Sequence, residues 1–458
     1  MNSADIAVRE PDAEDTGARI IRQRQIAEDA LNEAGRLGSS SAEVAISSST
    51  GLSVNVRMGE VETIEHTRDK ALGISVYLGH KKGSASTTDF SAQAVRECVA
   101  AACGIARHTA EDKFAGLADA QRMAVDIPDL DLHHPWSLSP EAATDIALET
   151  EDAARSLDAR IVNSEGAGVN RVEGVQVYAN SHGFCAGYPS SRHSISCAVI
   201  AADDAGMQRD YWYTLSRDPG ALETAQDVGR RAAERTLRRL GARRLSTRKV
   251  PVLFSAQTAS GLLGHFVNAV RGGNLYRKAS FLVDALGKQV FAAHVRIHEQ
   301  PHLPGAIGSA PFDAEGVATV NRDLIKDGIL QGYVLSSYSA RKLGMQTTAN
   351  AGGVHNLSAD ASPGSADLEG LLAAMGSGLY VTELMGMGIN TVTGDYSRGA
   401  AGFWVEDGAI CYPVEEITIA GNLRDMYLGI EAIGADQDRR GNIRTGSVLI
   451  GAMTVAGT

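Results

Sequence analysis

The chain has 458 residues, 44% of them hydrophobic and 21% charged, with 49 glycines and only 12 prolines, a composition that excludes a disordered or fibrous chain. At roughly 150 residues per domain, the length predicts about three structural units. Acidic residues exceed basic ones by 12, which disfavours binding to nucleic acid, and no apolar run reaches the ~20 residues that span a membrane. The five cysteines form no Cys-x-x-Cys pair, so we expect reduced thiols in a soluble, cytoplasmic protein.

The N-terminal part, residues 1–125, is predicted to form an α-β-β-β-α domain. Its first twenty residues have no apolar centre, so we expect no secretory signal. Apolar residues recur at helical spacing over 16–37 and again over 91–108. Between them, the segments 44–46, 52–56 and 72–78 alternate apolar and polar residues, as half-buried strands do, and a Ser-Thr-Gly turn is predicted at 49–51. This order predicts helices on one face of an antiparallel sheet.

A central α+β domain is predicted over residues 126–248. It follows a proline-containing linker at 126–135, and the Ser-Pro-Glu run at 139–141 has the features of a helix start. Strands are predicted at 175–177, 195–199 and 211–213. A helix from about Ala221 carries a basic stretch at 230–249 that could bind an anionic ligand. Because the net charge is negative, we favour a solvated helix face followed by a linker.

The C-terminal domain, residues 249–458, is rich in glycine and is predicted to be mostly antiparallel sheet with a few helices. Asp-Gly pairs at 327–328 and 407–408 lie between apolar stretches and predict hairpins. Asn422 is a candidate N-cap for a last helix. Its predicted apolar positions are Leu423, Met426, Ile430 and Ile433. The fold class predicted for the whole chain is α+β.

Common nucleotide-loop and serine-nucleophile motifs are absent from the sequence. The run 339–342 matches Ser-x-x-Lys, the nucleophile pattern of penicillin-binding proteins. Its companion motifs are missing, and four-letter matches are common, so we interpret it as a chance match.

A possible metal site is the His-Glu-Gln-Pro-His run, which matches H-E-x-x-H with ligands His298 and His302 and the acid Glu299. That motif requires a helix, which places both imidazoles on one face. Here the residues before it alternate like a strand, and Pro301 disfavours helix between the two histidines. We therefore favour a strand end with exposed histidines and keep a zinc site at this run as the alternative.

Several longer blocks identify the chain as similar to the TldD/PmbA family of peptidases, and to its PmbA (TldE) branch in particular. They cover nearly the whole chain: the run 262–278 (LLGHFVNAVRGGNLYRK) and the segments 49–62, 180–183, 339–344, 351–356 and 393–408. Blocks of this length are far more specific than four-letter motifs. The resemblance implies a degenerate metallopeptidase domain at the C-terminus.

The resemblance also implies that this chain lacks the family's zinc site. In the TldD branch the helix reads L-L-H-E-x-x-x-H, with two zinc ligands and a general base, and a cysteine near the C-terminus adds a ligand. The matching positions here are Gly264, His265 and Ala269, and no cysteine follows Cys411. Glycine and alanine offer zinc no donor atom. We therefore expect no catalytic residue and no metal in this chain.

The resemblance further implies a TldD-like partner that carries zinc and, together with this chain, cleaves unfolded peptides. Family roles are the processing of a microcin leader and the degradation of an antitoxin. This chain would shape the chamber and bind extended peptide by strand addition. The candidate peptide-binding residues are His355, Asn356, Asp395, Tyr396 and Arg398, for which packing or turn roles are equally open. An alternative from another class is a binding-only modulator of DNA gyrase or of an RNA regulator.

Overall fold

The structure is a computed structural model that describes residues 16–362, 364 and 367–457. Two compact units can be distinguished. The first consists of Met1–Thr50, Arg68–Leu117 and Glu173–Ser190, and the second of Gly51–Thr67, Ala118–Val172 and Ser191–Thr458. Four strands continue from one unit into the other along the chain. The domain boundaries predicted at 125 and 248 do not coincide with these units and stay predictions.

The N-terminal half of the chain begins with an α-β-β-β-α order, but its strands differ from those predicted: the turn expected at 49–51 lies inside one long strand, and the third strand, at 81–87, was not predicted. Its elements are α1 (Thr16–Arg36), β1 (Ser41–Arg57), β2 (Glu60–Leu78), β3 (Lys81–Thr87), α2 (Ala92–His108), α3 (Pro140–Arg155), β4 (Ile161–Asn180), β5 (Cys185–Asp203), β6 (Gly206–Ser216) and α4 (Ala225–Leu237). The strands pair in the order β3-β2-β1-β4-β5-β6.

The first unit buries its core between α1, α2 and the strands. Ala27, Ala30 and Ala34 of α1 are fully buried, because small side chains let the helix approach closely. Gly83 in β3 has the same effect on α2, since a Cβ there would lie 2.1 Å from the carbonyl oxygen of Ala102. The close packing of α1 and α2 on the strands therefore depends on alanine and glycine at the contact positions.

Of two helix starts predicted for this part of the second unit, one is confirmed and the other is shifted. The Ser139 hydroxyl accepts a hydrogen bond from the Ala142 amide, and Pro140 occupies the first turn, so the predicted start of α3 is confirmed. The next helix, α4, starts at Ala225 rather than near Ala221. Thr224 caps it, and a separate short turn precedes it.

The basic stretch at 230–249, which begins within α4, is largely neutralised by the second unit itself. Arg235 lies 3.2 Å from a carboxylate oxygen of Asp210, and Arg239 pairs with Asp210 and Glu383. Further on, the guanidinium of Arg243 stacks over the Tyr412 ring. These contacts support the structural interpretation of the stretch over an anion-binding one.

The C-terminal domain is mostly antiparallel, as predicted. Its elements are β7 (Arg248–Phe254), α5 (Ala256–Ala269), α6 (Gly272–Tyr276), β8 (Ile297–Glu299), β9 (Arg322–Lys326), β10 (Ile329–Leu330), α7 (Ser337–Lys342), β11 (Leu357–Ala359), α8 (Leu368–Met375), β12 (Gly378–Met385), β13 (Asp395–Glu406), β14 (Ala409–Asn422), α9 (Leu423–Leu428), β15 (Ile430–Ile433), β16 (Ile443–Arg444) and β17 (Val448–Ala456). Among the described helices, none is long and apolar enough to cross a membrane.

Two sheets organise this domain. One has the order β14-β13-β12-β7-β17-β15, and β14 also pairs with β17, so five of its strands close into a small barrel. The other has the order β10-β9-β8-β11-β16. The apolar face of α5 is buried in the core of the domain with aromatic residues from neighbouring segments. The α+β fold class is thereby confirmed.

Both predicted hairpins of the C-terminal domain are confirmed, and the last helix is shorter than predicted. Asp327-Gly328 joins β9 to β10, and Asp407-Gly408 joins β13 to β14, with positive φ at all four residues. Asn422 caps α9 as expected, but the helix ends at Leu428. The prediction that Ile430 and Ile433 continue it was wrong. They lie in β15, where pairing with β17 buries them.

Candidate functional site

The helix at the centre of the candidate site, α5, is rigidly placed in the C-terminal domain. Ser255 caps its first turn by accepting the Thr258 amide. Phe266 packs edge-on against Phe291, with ring centroids 5.0 Å apart. The Tyr427 hydroxyl donates to the Leu262 carbonyl oxygen at 3.0 Å. A buried aromatic cluster therefore fixes the orientation of α5.

Gly264 and Ala269, the two positions for which the resemblance implies histidines in the TldD branch, have no side-chain donor atoms. They differ in the space around them. At Gly264, an added Cβ would meet only the Ile443 side chain, at 3.9 Å. Ala269 is fully buried, and its carbonyl oxygen accepts the Ser280 hydroxyl at 2.6 Å. An imidazole at Ala269 would have to displace the core. Zinc, which takes about four N, O or S ligands, does not fit these two positions.

His265 lies between these positions and is half-buried. Its ring meets Tyr396 edge-on, with centroids 6.0 Å apart and planes at 66°. Burial lowers the pKa of His265, and the nearby positive charge of Arg398 lowers it further. The Nε2 atom is buried and has no hydrogen-bond partner among the described residues. These surroundings favour the neutral imidazole, one ring nitrogen of which is buried and unpaired among the described residues.

Tyr396 and Arg398 lie two residues apart on β13, so both face the same side of the strand. Burial raises the pKa of Tyr396 to about 12, although a hydrogen bond with Arg398 opposes the shift. The Arg398 Nε atom is buried without a partner in the described part of the chain. We call His265, Tyr396 and Arg398 the His265 cluster. It combines a cation with hydrogen-bonding groups, which suits a carbonyl or carboxylate better than a metal.

Asp395, the next candidate peptide-binding residue, is exposed and tied to its own loop. Its carboxylate accepts the Thr393 hydroxyl at 2.6 Å and the Asn422 side-chain amide at 3.2 Å. These hydrogen bonds lower its pKa. They also join the start of β13 to the end of β14. A structural role therefore accounts for Asp395, and its peptide-binding role stays a prediction.

The candidates His355 and Asn356 precede β11 and differ in whether their side chains have unpaired hydrogen-bonding atoms. Asn356 is fully buried at φ +44°, and its amide donates to the Gln300 carbonyl and the Ser309 hydroxyl. His355 is half-buried, its pKa is lowered by burial, and its Nε2 lacks a partner among the described residues. Asn356 thus has a packing role, and His355 is the better candidate of the two.

The H-E-x-x-H run ends a strand, as the sequence predicts. His298 and Glu299 lie in β8, and only His302 is exposed, with its Nε2 2.9 Å from the Thr319 hydroxyl. The expectation of exposed histidines is therefore wrong for His298. Pairing with β9 and β11 half-buries its ring.

Glu299 is 2% exposed, and both of its oxygens are occupied. One accepts the Arg322 guanidinium at 2.6 Å. The other accepts the Asn350 side chain at 2.9 Å and the His355 amide at 2.8 Å. Such a buried, fully paired carboxylate is a structural element and is poorly placed to act as a general base. No sequence pattern pointed to this network, because its members are distant in the chain.

Ser339, the serine of the Ser-x-x-Lys match, helps to start α7. Its hydroxyl accepts the Ser336 amide at 3.0 Å, and Ser336 in turn accepts the Ser339 amide, which completes a capping box. Ser339 is also 6% exposed. Helix capping therefore explains this serine without a nucleophilic role.

A metal ion has no evident site within the described residues. No three or more histidine, cysteine, aspartate or glutamate side chains there are grouped so that they could hold one. Cys411 is exposed on β14, where its thiol lies 3.5 Å from the Ala409 carbonyl oxygen. The zinc typical of metallopeptidases thus fits neither α5 nor the H-E-x-x-H run.

Comparison with known proteins agrees with the resemblance seen in the sequence. Residues 42–106, 133–240 and 247–457 match domain 1, the central domain and the C-terminal domain of the PmbA/TldA metallopeptidases. The chain is 52% identical to the metalloprotease PmbA of Escherichia coli O157:H7 over 443 residues, which is 96% of this chain and 98% of that one.

Solved structures share the fold. A candidate modulator of DNA gyrase from Bacteroides thetaiotaomicron superposes with a TM-score of 0.90 at 27% identity, over 95% of this chain and 99% of that one. TldE from Thermococcus kodakarensis superposes with a TM-score of 0.80 at 18% identity, over 94% of this chain and all of that one, and shows the fold alone. The chain belongs to the PmbA/TldE branch of the TldD/PmbA family of metallopeptidases.

Proposed function

We propose that this chain is the subunit without zinc in a heteromeric peptidase, and that a TldD-like partner carries the metal. The observation that supports this most directly is the state of α5. The helix is kept intact, while Gly264 and Ala269 replace the side chains that would bind zinc. Zinc in the partner would activate water for attack on a peptide carbonyl. This chain then contributes to substrate binding and to the stability of the complex.

The proposed substrate is an unfolded peptide, such as a microcin leader or an antitoxin, bound in an extended form. Strand addition reads the peptide backbone and tolerates many side chains. The His265 cluster contains the unpaired, buried Nε2 of His265 and the cation of Arg398, which would suit a backbone carbonyl or a carboxylate. His355 is a second candidate contact. Asp395 and Asn356 are expected to act mainly by shaping their loops.

The first test is to express this chain with and without a TldD-like subunit from the same source. We expect the two to co-purify, and we expect cleavage of unfolded peptides only by the mixture. Activity should be measured on each chain alone and on a titrated mixture, with folded protein as a control substrate. Robust cleavage by this chain alone would overturn the proposal.

A second test concerns the His265 cluster. Arg398→Met keeps the length of the side chain but removes its charge, so we expect KM for peptides in the mixture to rise about tenfold while kcat changes little. Arg277→Met, at an exposed site on the same domain, is the matched control. An unchanged KM would show that Arg398 does not contribute to peptide binding.

The name of the Bacteroides protein supports a second candidate, a binding-only modulator of DNA gyrase. The net charge of −12 disfavours direct contact with DNA but permits an acidic surface that competes with it. Gyrase supercoiling should be measured with the purified chain at several salt concentrations. Inhibition without any peptidase partner would favour this candidate over the peptidase subunit.

A further inference from the structure

A half-buried cation without a counter-charge lies on the last strand of the sheet with the order β10-β9-β8-β11-β16. This cation is Arg444 of β16. Its Nε atom is buried and has no hydrogen-bond partner among the described residues. Burial lowers the pKa of Arg444, and the positive charge of Arg439 lowers it further. Burying a guanidinium without an anion is unfavourable, so this arrangement needs an explanation.

Three acids near Arg444 in the chain or beside its partner strand are engaged by other groups. The contacts are Asp438 with Arg440 at 2.8 Å, Asp360 with Arg296 at 3.3 Å and with His298 at 3.4 Å, and Asp436 with the Ser447 hydroxyl at 2.6 Å. Each of these carboxylates thus has a role that does not involve Arg444. An anion from outside the chain would offset the burial of the cation.

Ser358 of β11 adds a hydroxyl beside this cation. The parallel pairing of β11 with β16 sets Ser358 next to Arg444, with both side chains on one face of the sheet. Ser358 is 5% exposed, and the hydrogen bond from its hydroxyl to the Asn356 carbonyl oxygen is long, at 3.5 Å. A guanidinium with a neighbouring hydroxyl matches the single charge and the two oxygens of a carboxylate.

Strand β16 also adjoins two parts of the candidate functional site. A Cβ added at Gly264 of α5 would meet the side chain of Ile443, the residue before Arg444, at 3.9 Å. Ile443 is paired in turn with Leu357, which follows the candidate residue His355 by two positions. The unpaired cation is therefore only a few residues from the degenerate helix position and from His355.

We propose that Arg444 and Ser358 bind a carboxylate of the unfolded peptide, either its C-terminus or an acidic side chain. The peptide as ligand rests on the proposed function, whereas the preference for an anion rests on the unpaired guanidinium. Guanidinium groups bind carboxylates through two parallel hydrogen bonds. An extended peptide that is bound mainly through its backbone has no fixed register, and one anchored carboxylate would set it.

Peptide binding to the full-length chain without a partner subunit tests this site by fluorescence anisotropy. The probe is a short, unstructured, labelled peptide with one central glutamate, which is compared with its C-terminal amide and with its glutamine analogue. Wild type should bind one of the two modified peptides about tenfold more weakly, which identifies the carboxylate. Arg444→Met should bind all three peptides equally and weakly. Equal binding of all three by wild type would overturn the inference.

Two controls separate loss of the site from loss of the fold. Lys326→Met removes an exposed cation from β9 of the same sheet and should keep the wild-type preference among the peptides. Arg444→Met should raise the midpoint of thermal unfolding of the chain alone, because an apolar side chain replaces an unpaired, half-buried charge. A lower midpoint would show that Arg444 has a partner within the folded chain and would contradict the site.

Cleavage assays with the TldD-like subunit distinguish this inference from the proposed function. If the mixture does not cleave the three peptides but this chain still prefers one carboxylate, the proposed function fails and the anion site is supported. If the mixture cleaves all three and this chain shows no preference, the anion site fails and the proposed function is supported.

Discussion

Gly264 and Ala269 illustrate how differently two small residues of α5 tolerate a larger side chain. An added Cβ at Gly264 finds nearly open space, and its φ lies outside the left-handed region. Ala269 is surrounded by the core and has no exposed surface. Zinc binding therefore cannot be restored by two substitutions alone, since one of the two sites has no room for an imidazole.

This contrast predicts opposite effects on stability. Gly264→Ala should raise the free energy of unfolding by about 0.5–1 kcal/mol, because alanine has the higher helix propensity and meets no close neighbour. Ala269→His should lower it by about 1–3 kcal/mol or more through overpacking. Urea unfolding followed by circular dichroism measures both. A destabilising Gly264→Ala would mean that the backbone at Gly264 has another constraint.

The buried histidines predict a pH dependence of stability. Burial lowers the pKa of His265 and of His355 below the ordinary value of 6.5 that they regain on unfolding. Below about pH 6.5 the unfolded chain binds more protons, so stability is lost as pH falls. We expect His265→Gln to reduce the loss of unfolding free energy between pH 7 and pH 5. An unchanged pH slope in this variant would show that His265 makes no contribution.

Among the elements, the hairpin of β1 and β2 depends on one carboxylate of α3. Removing Glu151 would leave the amides of Met58 and Gly59 without their acceptors. Glu151→Ala should therefore lower the unfolding free energy by about 1–3 kcal/mol. Asp145→Ala, at an exposed site on the same helix, is the control and should change it by less than about 0.5 kcal/mol. Equal effects of the two variants would argue against the anchoring role.

Helix starts marked by a capping residue were predictable from local sequence, whereas the end of the last helix was not. Ser139 and Asn422 cap their helices as expected, because capping involves residues only two or three positions apart. The end of α9 was not predictable in this way. Ile430 and Ile433 fit a helical pattern, yet pairing with β17 places them in a strand. Contacts distant in sequence therefore override local periodicity at this point.

For the whole molecule, the buried Glu299 network predicts the outcome of metal analysis. Since Arg322, Asn350 and the His355 amide occupy Glu299, we expect the purified chain to hold far less than one zinc per chain. His298→Ala should leave the zinc content unchanged. Inductively coupled plasma mass spectrometry, with the TldD-like subunit as a positive control, measures it. About one zinc per chain, lost in His298→Ala, would favour the alternative site.

The sequence alone was sufficient for the fold class and for several helices, strands and hairpins, and its resemblance to the TldD/PmbA family located the helix with Gly264 and Ala269. These depend on periodicity, on turn and cap chemistry, and on donor atoms that glycine and alanine lack. Only the tertiary structure decided which candidates share a site: it brings His265 to Tyr396 and Arg398, buries Asn356, and pairs Glu299 with Arg322. Burial and ion pairing arise between residues distant in the chain, and no local pattern records them.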